Sequence, residues 1–249
     1  MPETKLNVIL LQNTPNPELL VAQAAKLCYS NASIDDLQKK IENNDQTTFI
    51  NNLIEMTHLS PLEHITFTFG IEGISRSCSH QLCRHRVGIA ISQKSQRYVK
   101  ENDFNYIVPE SIKEQKELSY TDRKGNYEPL NGQDWFSDKI KLIQRWYNEL
   151  LEQGVPPEDA RFLLPNACET KMIVTMNARE LLHFFQVRCC NRAQLEIRNL
   201  AIEMLKLVKN ISPTIFRNSG PNCVSNYCKE GKVSCGKMND VRKQFLEPK

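Results

Sequence analysis

The sequence predicts an α+β protein built as a single domain, a small sheet packed against helices. Three observations predict it. Ile65 to Ile71 alternates at period two with β-branched and aromatic residues, the mark of a half-buried strand. Trp135 to Gln153 carries Ile140, Ile143, Trp146, Leu150 and Leu151 on one side, the mark of an amphipathic helix. Strand-like and helix-like stretches then follow one another with no internal repeat and no evident linker. A chain of 249 residues can bury a sizeable core, and 40% hydrophobic with 24% charged residues places it among ordinary globular proteins.

Taken in order, Leu6 to Leu11 reads as a short apolar strand, ended by Asn13-Thr14-Pro15-Asn16-Pro17. Pro17 and Glu18 open a helix, since proline is tolerated in a first turn and an acid suits its positive end. Leu19, Leu20, Ala24 and Leu27 fall on one face of it. Ser33 caps a second helix with Asp35 and Asp36 in its first turn, and Leu37, Ile41, Phe49, Leu53 and Ile54 carry an apolar stripe to about Met56. His58 to His64 is a loop before the alternating strand. Ile74 to Arg84 has no breaker and reads as a helix with Gln81 and Arg84 one turn apart; Gly88 ends it, leaving the following basic stretch as a loop. Lys113 to Gln133 is a polar excursion. Gly154 closes the amphipathic helix, and Pro156-Pro157-Glu158-Asp159 start a short helix carrying Arg161, stopped by Pro165. Thr170 to Met176 reads as a strand, Asn177 caps a helix through Arg188, and Ala193 to Val208 forms a last long helix. Residues 1–215 are expected to be the folded domain and 216–249 a polar, cysteine-containing tail.

The net charge is only +3, yet six Lys or Arg and no Asp or Glu lie between Gly73 and Lys100. One-signed clustering of this kind suits an anionic ligand. Arg84, Arg86 and Arg97 offer planar forks for phosphate, while Ser92, Gln93, Ser95 and Gln96 add neutral donors and acceptors. A solvated loop or a nucleic-acid patch has the same composition, so those readings stay open. Asn177, Arg179, His183, Arg188 and Arg192 form a second basic cluster, with Arg188 and Arg192 one turn apart. An arginine at a helix end often only answers the dipole. With Arg161 added, these arginines suggest more phosphates than one mononucleotide provides.

His58-x-Ser60-Pro61-x-Glu63-His64 gathers two imidazoles, a hydroxyl and a carboxylate, but supplies too few ligands for a closed zinc site. Loop hydrogen bonding and ligand lining both remain open for it. Cys223, Cys228 and Cys235 resemble a metal knuckle at irregular spacing, better read as a polar tail, and no metal is assigned. Nine cysteines, an odd number, with Cys189 and Cys190 adjacent, argue against a disulfide framework. No apolar run is long enough to span a bilayer and no signal peptide is apparent, so the expected compartment is the cytoplasm, with no membrane partner. Gly-x-Gly-x-x-Gly, Walker and Gly-x-Ser-x-Gly motifs are all missing, which removes the common nucleotide and hydrolase folds.

Arg84-His85-Arg86 followed by Ser95-Gln96-Arg97-Tyr98 resembles the flavin-dependent thymidylate synthases. The likeness extends to the His58–His64 motif before an aromatic strand, Val155-Pro156-x-Glu158-x-Ala160-Arg161, Asn177-Ala178-Arg179, and Arg188 before Ala193-Gln194-x-Glu196, in family order. It covers about residues 5 to 215. The resemblance implies that family's fold, with its small antiparallel sheet. It also implies a cytoplasmic homotetramer that binds FAD, dUMP, methylenetetrahydrofolate and NADPH in active sites shared between subunits, with no nucleic-acid partner. Residue by residue, it assigns flavin contacts to His58, Ser60, Glu63, Arg84, His85, Arg86, Ser92, Gln93, Asn177, Arg179 and His183. It assigns dUMP to Gln81, Arg84, Gln93, Lys94, Ser95, Gln96, Arg97, Arg161 and Arg188, with Arg188 and His58 as the catalytic pair. On this reading Ser95 positions a ligand, and no cysteine is needed to attack the uracil ring.

The chain departs from the family pattern at three places. Eight residues, Val87 to Lys94, separate Arg86 from Ser95 where the common signature has seven. Gln93 stands where many relatives carry glutamate, and Arg192 where some carry histidine. Two competing classes are a non-enzymatic polyanion binder, which would show steep salt dependence and no cofactor, and a flavoprotein with another acceptor.

Overall fold

The computed structural model describes residues 2–121 and 127–246. Six strands are present among them: β1 (Asn7–Asn13), β2 (Thr66–Ser75), β3 (Ile89–Gln93), β4 (Leu118–Thr121), β5 (Tyr127–Leu130) and β6 (Glu169–Asn177). The helices are α1 (Pro17–Leu27), α2 (Ile34–Glu42), α3 (Thr47–Glu55), α4 (Arg76–Leu82), α5 (Glu110–Lys113), α6 (Gly132–Glu152), α7 (Pro157–Ala160), α8 (Ala178–Arg188), α9 (Leu195–Ile211), α10 (Pro213–Phe216) and α11 (Met238–Leu246). A small four-stranded sheet has the order β1-β2-β6-β3, and β4 pairs antiparallel with β5, Leu118 facing Leu130. The expected mixed helix-and-sheet class is therefore what the chain adopts.

The chain divides into two compact units, each assembled from three separate stretches. The first comprises Met1–Asn7, Ile71–Gln81 and Ser92–Met172; the second comprises Val8–Gly70, Leu82–Ile91 and Ile173–Lys249.

In the first unit, Phe104, Tyr106, Val108, Ile140 and Cys168 form a buried cluster. α6 binds the chain before it through polar groups: Gln144 Nε2 donates to the Glu101 carbonyl at 2.7 Å, its Oε1 accepts from Phe104 N at 3.0 Å, and Tyr147 Oη accepts from Glu101 N at 3.1 Å. These bonds satisfy backbone that is buried off any regular ladder. In the second unit, the alternation of β2 buries Phe67 and Phe69. Phe67 meets Phe216 edge-on at 5.6 Å, Phe216 meets Phe185 at 6.0 Å, and Phe185 meets Phe184 at 5.8 Å. Edge-to-face pairs of this kind lock ring orientation as well as bury area. A smaller cluster of Ala22, Leu37 and Ile41 joins α1 to α2.

Several expected boundaries shift for visible reasons. The single stripe from Leu37 to Met56 becomes α2 and α3, because Asn43 and Asn44 turn their amides onto the Lys39 and Lys40 carbonyls at 2.8 and 2.6 Å and end α2. β2 runs on to Ser75, so the helix after it starts at Arg76 and stops at Leu82, leaving Arg84 outside. The basic stretch is not all loop, since Ile89 and Ile91 half-bury one face of β3. Ser33 caps α2 as expected, its hydroxyl accepting from Asp36 N. The C-terminal stretch is folded rather than loose: Val241 and Phe245 of α11 are buried, and Arg242 donates to the Cys223 and Asn226 carbonyls at 2.8 and 2.9 Å.

Candidate active site

In the second unit the Arg84-His85-Arg86 turn is seated against α8. Gly88 makes this possible. Its φ of +67° is in the left-handed region, and a Cβ there would stand 2.3 Å from the Asn177 amide nitrogen. Asn177 N donates to the Gly88 carbonyl at 2.9 Å, and its Oδ1 caps α8 by accepting from Glu180 N at 2.8 Å. The same asparagine thus fixes both the turn and the helix start.

His85 is buried between the two ends of α8. Its Nδ1 lies 2.7 Å from Glu180 Oε1, its Nε2 accepts from Arg188 Nε at 3.1 Å, and Phe184 packs edge-on at 5.0 Å. The exposed His183 ring is 5.8 Å away. Burial first, then the charges of Arg188 and His183, pull the imidazole down to about 4, so it is neutral at physiological pH. Burial pushes the Glu180 carboxyl up to about 7. Arg84, Arg86 and Arg188 border a groove of about 590 Å³ over this network.

A larger cavity of about 830 Å³ opens on the same unit. Asn177, Arg179, His183 and Glu63 contribute polar groups, and Ile54, Leu59, Val87 and Leu182 contribute apolar wall. Arg179 is held by an ion pair with Glu63. His58 and Ser60 line a neighbouring hollow of about 400 Å³ that shares Arg179.

In the first unit the remaining candidates gather around β3 and α7. Gln93 Nε2 donates to Ser79 Oγ and Thr170 Oγ1, both at 3.0 Å. A glutamate at that position would need both hydroxyls to turn and donate instead. Lys94 pairs with Glu101 at 2.8 Å, and the buried Gln96 donates to Cys168 Sγ at 3.5 Å. Ser95 Oγ accepts from Arg97 N at 3.3 Å. Arg97 Nε pairs with the Glu158 carboxylate at 3.0 Å, while Arg161 Nε donates to the Glu158 carbonyl at 3.0 Å, so one residue tethers both arginines. Ser92 is exposed on β3, and Gln81 sits on α4.

The sequence reading missed Glu180. At three residues past the Asn177 cap it has the spacing of a capping-box acid, which hides its reach to His85. It also missed that Ser219, Val224 and Leu246, from the expected tail, line the larger cavity. Arg192, exposed past the end of α8, joins neither network through any described contact. Among the described residues, no three His, Cys, Asp or Glu side chains are grouped to hold a metal ion. Burial keeps Cys168 pushed up to about 12 and Cys189 higher still, which leaves both as unreactive thiols.

The family described as thymidylate synthase complementing protein matches residues 9–214. A curated protein of Geobacter sulfurreducens named flavin-dependent thymidylate synthase is 49% identical over 244 residues, covering 97% of this chain and 99% of its own. Proteins of the same name from Clostridium tetani, 46% identical over 97% of both chains, and from Nitratidesulfovibrio vulgaris, 40% identical over 95% of this chain and 97% of its own, match over similar spans.

Proposed function

The chain belongs to the thymidylate synthase complementing protein family, and from that membership we propose that it is a flavin-dependent thymidylate synthase, converting dUMP to dTMP. Methylenetetrahydrofolate would bring the one-carbon unit, and FAD, when bound, would supply a hydride drawn from NADPH. The observation that carries this reading on the molecule itself is the second unit's cavity. Its volume of about 830 Å³ lies within the range of sites that bury small molecules and cofactors, and its polar groups come from Asn177, Arg179 and His183. Those donors suit the pyrophosphate and ring edges of FAD. Glu63 holds Arg179 in place for that task, and His58 with Ser60 extends the same wall.

The chain's own residues then divide the work. Arg97, Arg161 and Ser95 receive the 5′-phosphate of dUMP, supported by the shared tether at Glu158. Gln81, Gln93, Lys94 and Gln96 frame the sugar and base, and Gln93 is already oriented by Ser79 and Thr170. Methylation at uracil C5 requires that carbon to become electron-rich. Arg188, held at its Nε by His85, is the residue we assign to meet the O2/N3 edge and stabilise the negative charge that would develop there. Arg84 and Arg86 supply positive charge along the groove over that network. No side-chain nucleophile is needed, in keeping with buried, protonated Cys168 and Cys189.

The assembly is a homotetramer in the cytoplasm. Phe162 is 85% exposed and Tyr98 79%, beside Arg161 and Arg97, and large apolar side chains at such positions suit a subunit contact. No described helix is long and apolar enough to cross a membrane. The test is direct: purified protein is incubated with dUMP, methylenetetrahydrofolate and NADPH, and dTMP is measured. The proposal expects dTMP only when FAD is bound; a flavin-loaded protein that leaves dUMP unchanged refutes it.

A further inference from the structure

We infer that Glu180 is a positioning residue for Arg188, acting through His85 by fixing which ring nitrogen carries the proton. The inference rests on the role given to Arg188 above and adds a residue which that role does not itself require.

The direction of each hydrogen bond follows from donor chemistry. A guanidinium has no acceptor, so Arg188 Nε at 3.1 Å from His85 Nε2 must donate. Nε2 therefore carries a lone pair. A neutral imidazole then has its single proton on Nδ1, which stands 2.7 Å from Glu180 Oε1 and donates to it. The result is a one-way chain, Arg188 to His85 to Glu180.

Helix geometry explains why the histidine is needed. Glu180 is in the first turn of α8 and Arg188 is its last residue, about 12 Å apart along the axis at 1.5 Å per residue. The two side chains are too distant to fix one another directly, and His85 enters from the Arg84-His85-Arg86 turn to bridge them. Its side chain is 5% exposed and that of Glu180 9%, so water cannot replace either partner. Phe184 holds the ring edge-on at 5.0 Å. Burial, with Arg188 and His183 nearby, keeps the ring neutral, which this arrangement demands. Without the carboxylate, the proton can move to Nε2 and face the guanidinium, turning an attraction into a repulsion. With Nε committed to His85, the plane of the Arg188 fork is set before substrate arrives.

The experiment uses FAD-loaded wild type, Glu180→Gln and Glu180→Leu. Ring ¹⁵N shifts of His85 are read without substrates, since five histidines make assignment by single substitution practical. Wild type and Glu180→Gln, whose amide oxygen still accepts, are expected to show the Nδ1–H tautomer and dTMP turnover within about threefold of each other. Glu180→Leu is expected to show mixed tautomers and a turnover lower by about tenfold or more with FAD retained. An Nε2–H tautomer in wild type overturns the inference outright, even if the leucine variant does not fold. So does a leucine variant with full turnover, or with lost turnover and an unchanged His85 signal. The tautomer is measured without the reaction, so a wild type that makes no dTMP refutes the proposed function separately.

Discussion

Arg97 and Arg161 of the first unit and Arg188 of the second are held in opposite ways. Arg97 is half exposed, and its partner Glu158 equally so, in a contact that water and salt weaken. Arg188 is joined to a histidine with a 5% exposed side chain, backed by a carboxylate with one 9% exposed, under an aromatic edge. On the proposed assignment Arg97 and Arg161 take a phosphate, which carries full charge before and after reaction, so they need only be available and can exchange Glu158 for ligand at small cost. A uracil ring gains charge only in the transition state, so the arginine that meets it must be placed beforehand. The loose cluster fits binding and the rigid one fits chemistry.

The sharpest way to break this contrast is Arg188→Ala. Turnover to dTMP should fall by about 10²–10³, the usual cost of losing a group that stabilises developing charge, while the flavin absorbance of the purified protein persists. Near-normal turnover would remove the distinction. Next, Gly88→Ala should destabilise the second unit by about 2–3 kcal/mol in denaturant unfolding, because the left-handed φ and the Asn177 side chain both resist a Cβ. An unchanged midpoint would mean that the turn beside His85 is not rigid.

The pH dependence sharpens the same point. His85 has a folded value of about 4, depressed below its ordinary 6.5, so the stability it contributes is present above 6.5 and lost as pH falls toward 4. Glu180, pushed up to about 7 by burial, works the other way, gaining stability as pH falls through that value; the Arg188 guanidinium and the His183 ring also face the imidazole. Comparing wild type with His85→Gln isolates the histidine: the variant should lack a loss of up to about 3 kcal/mol between pH 6.5 and 4. Parallel stability curves would contradict the buried neutral ring. The smallest effect expected is at the loose cluster, where Glu158→Ala should change stability by less than about 1 kcal/mol in the same unfolding assay.

How much of this was legible in the sequence depended on the range of the interaction. The Ser33 and Asn177 caps stand where the local pattern placed them; β2 and α6 both form, but β2 runs on to Ser75, and α6 buries Ile140, Gln144 and Tyr147 while Trp146 of the expected apolar side is exposed. The end of α2 was missed because the Asn43 and Asn44 amides compete with the helix in a way that periodicity does not register. Gly88 was read as a breaker, but its reason, the approach of Asn177 from 89 positions later in the chain, is a tertiary one. The site was legible as separate motifs in family order. Their grouping was not: Arg97 and Arg161 are brought together by Glu158, and Glu180, at capping-box spacing from Asn177, reaches His85 from 95 positions away in the chain.

The division of labour between the two clusters is tested most directly by one pair of binding measurements on Arg97→Ala, with FAD and labelled dUMP followed on the same purified protein by equilibrium dialysis. FAD should bind as in wild type, because the proposed flavin wall of Asn177, Arg179 and His183 belongs to the other unit, while dUMP affinity should drop at least about tenfold, the loss of a charged hydrogen bond. Undiminished dUMP binding, or loss of FAD together with dUMP, would contradict the account.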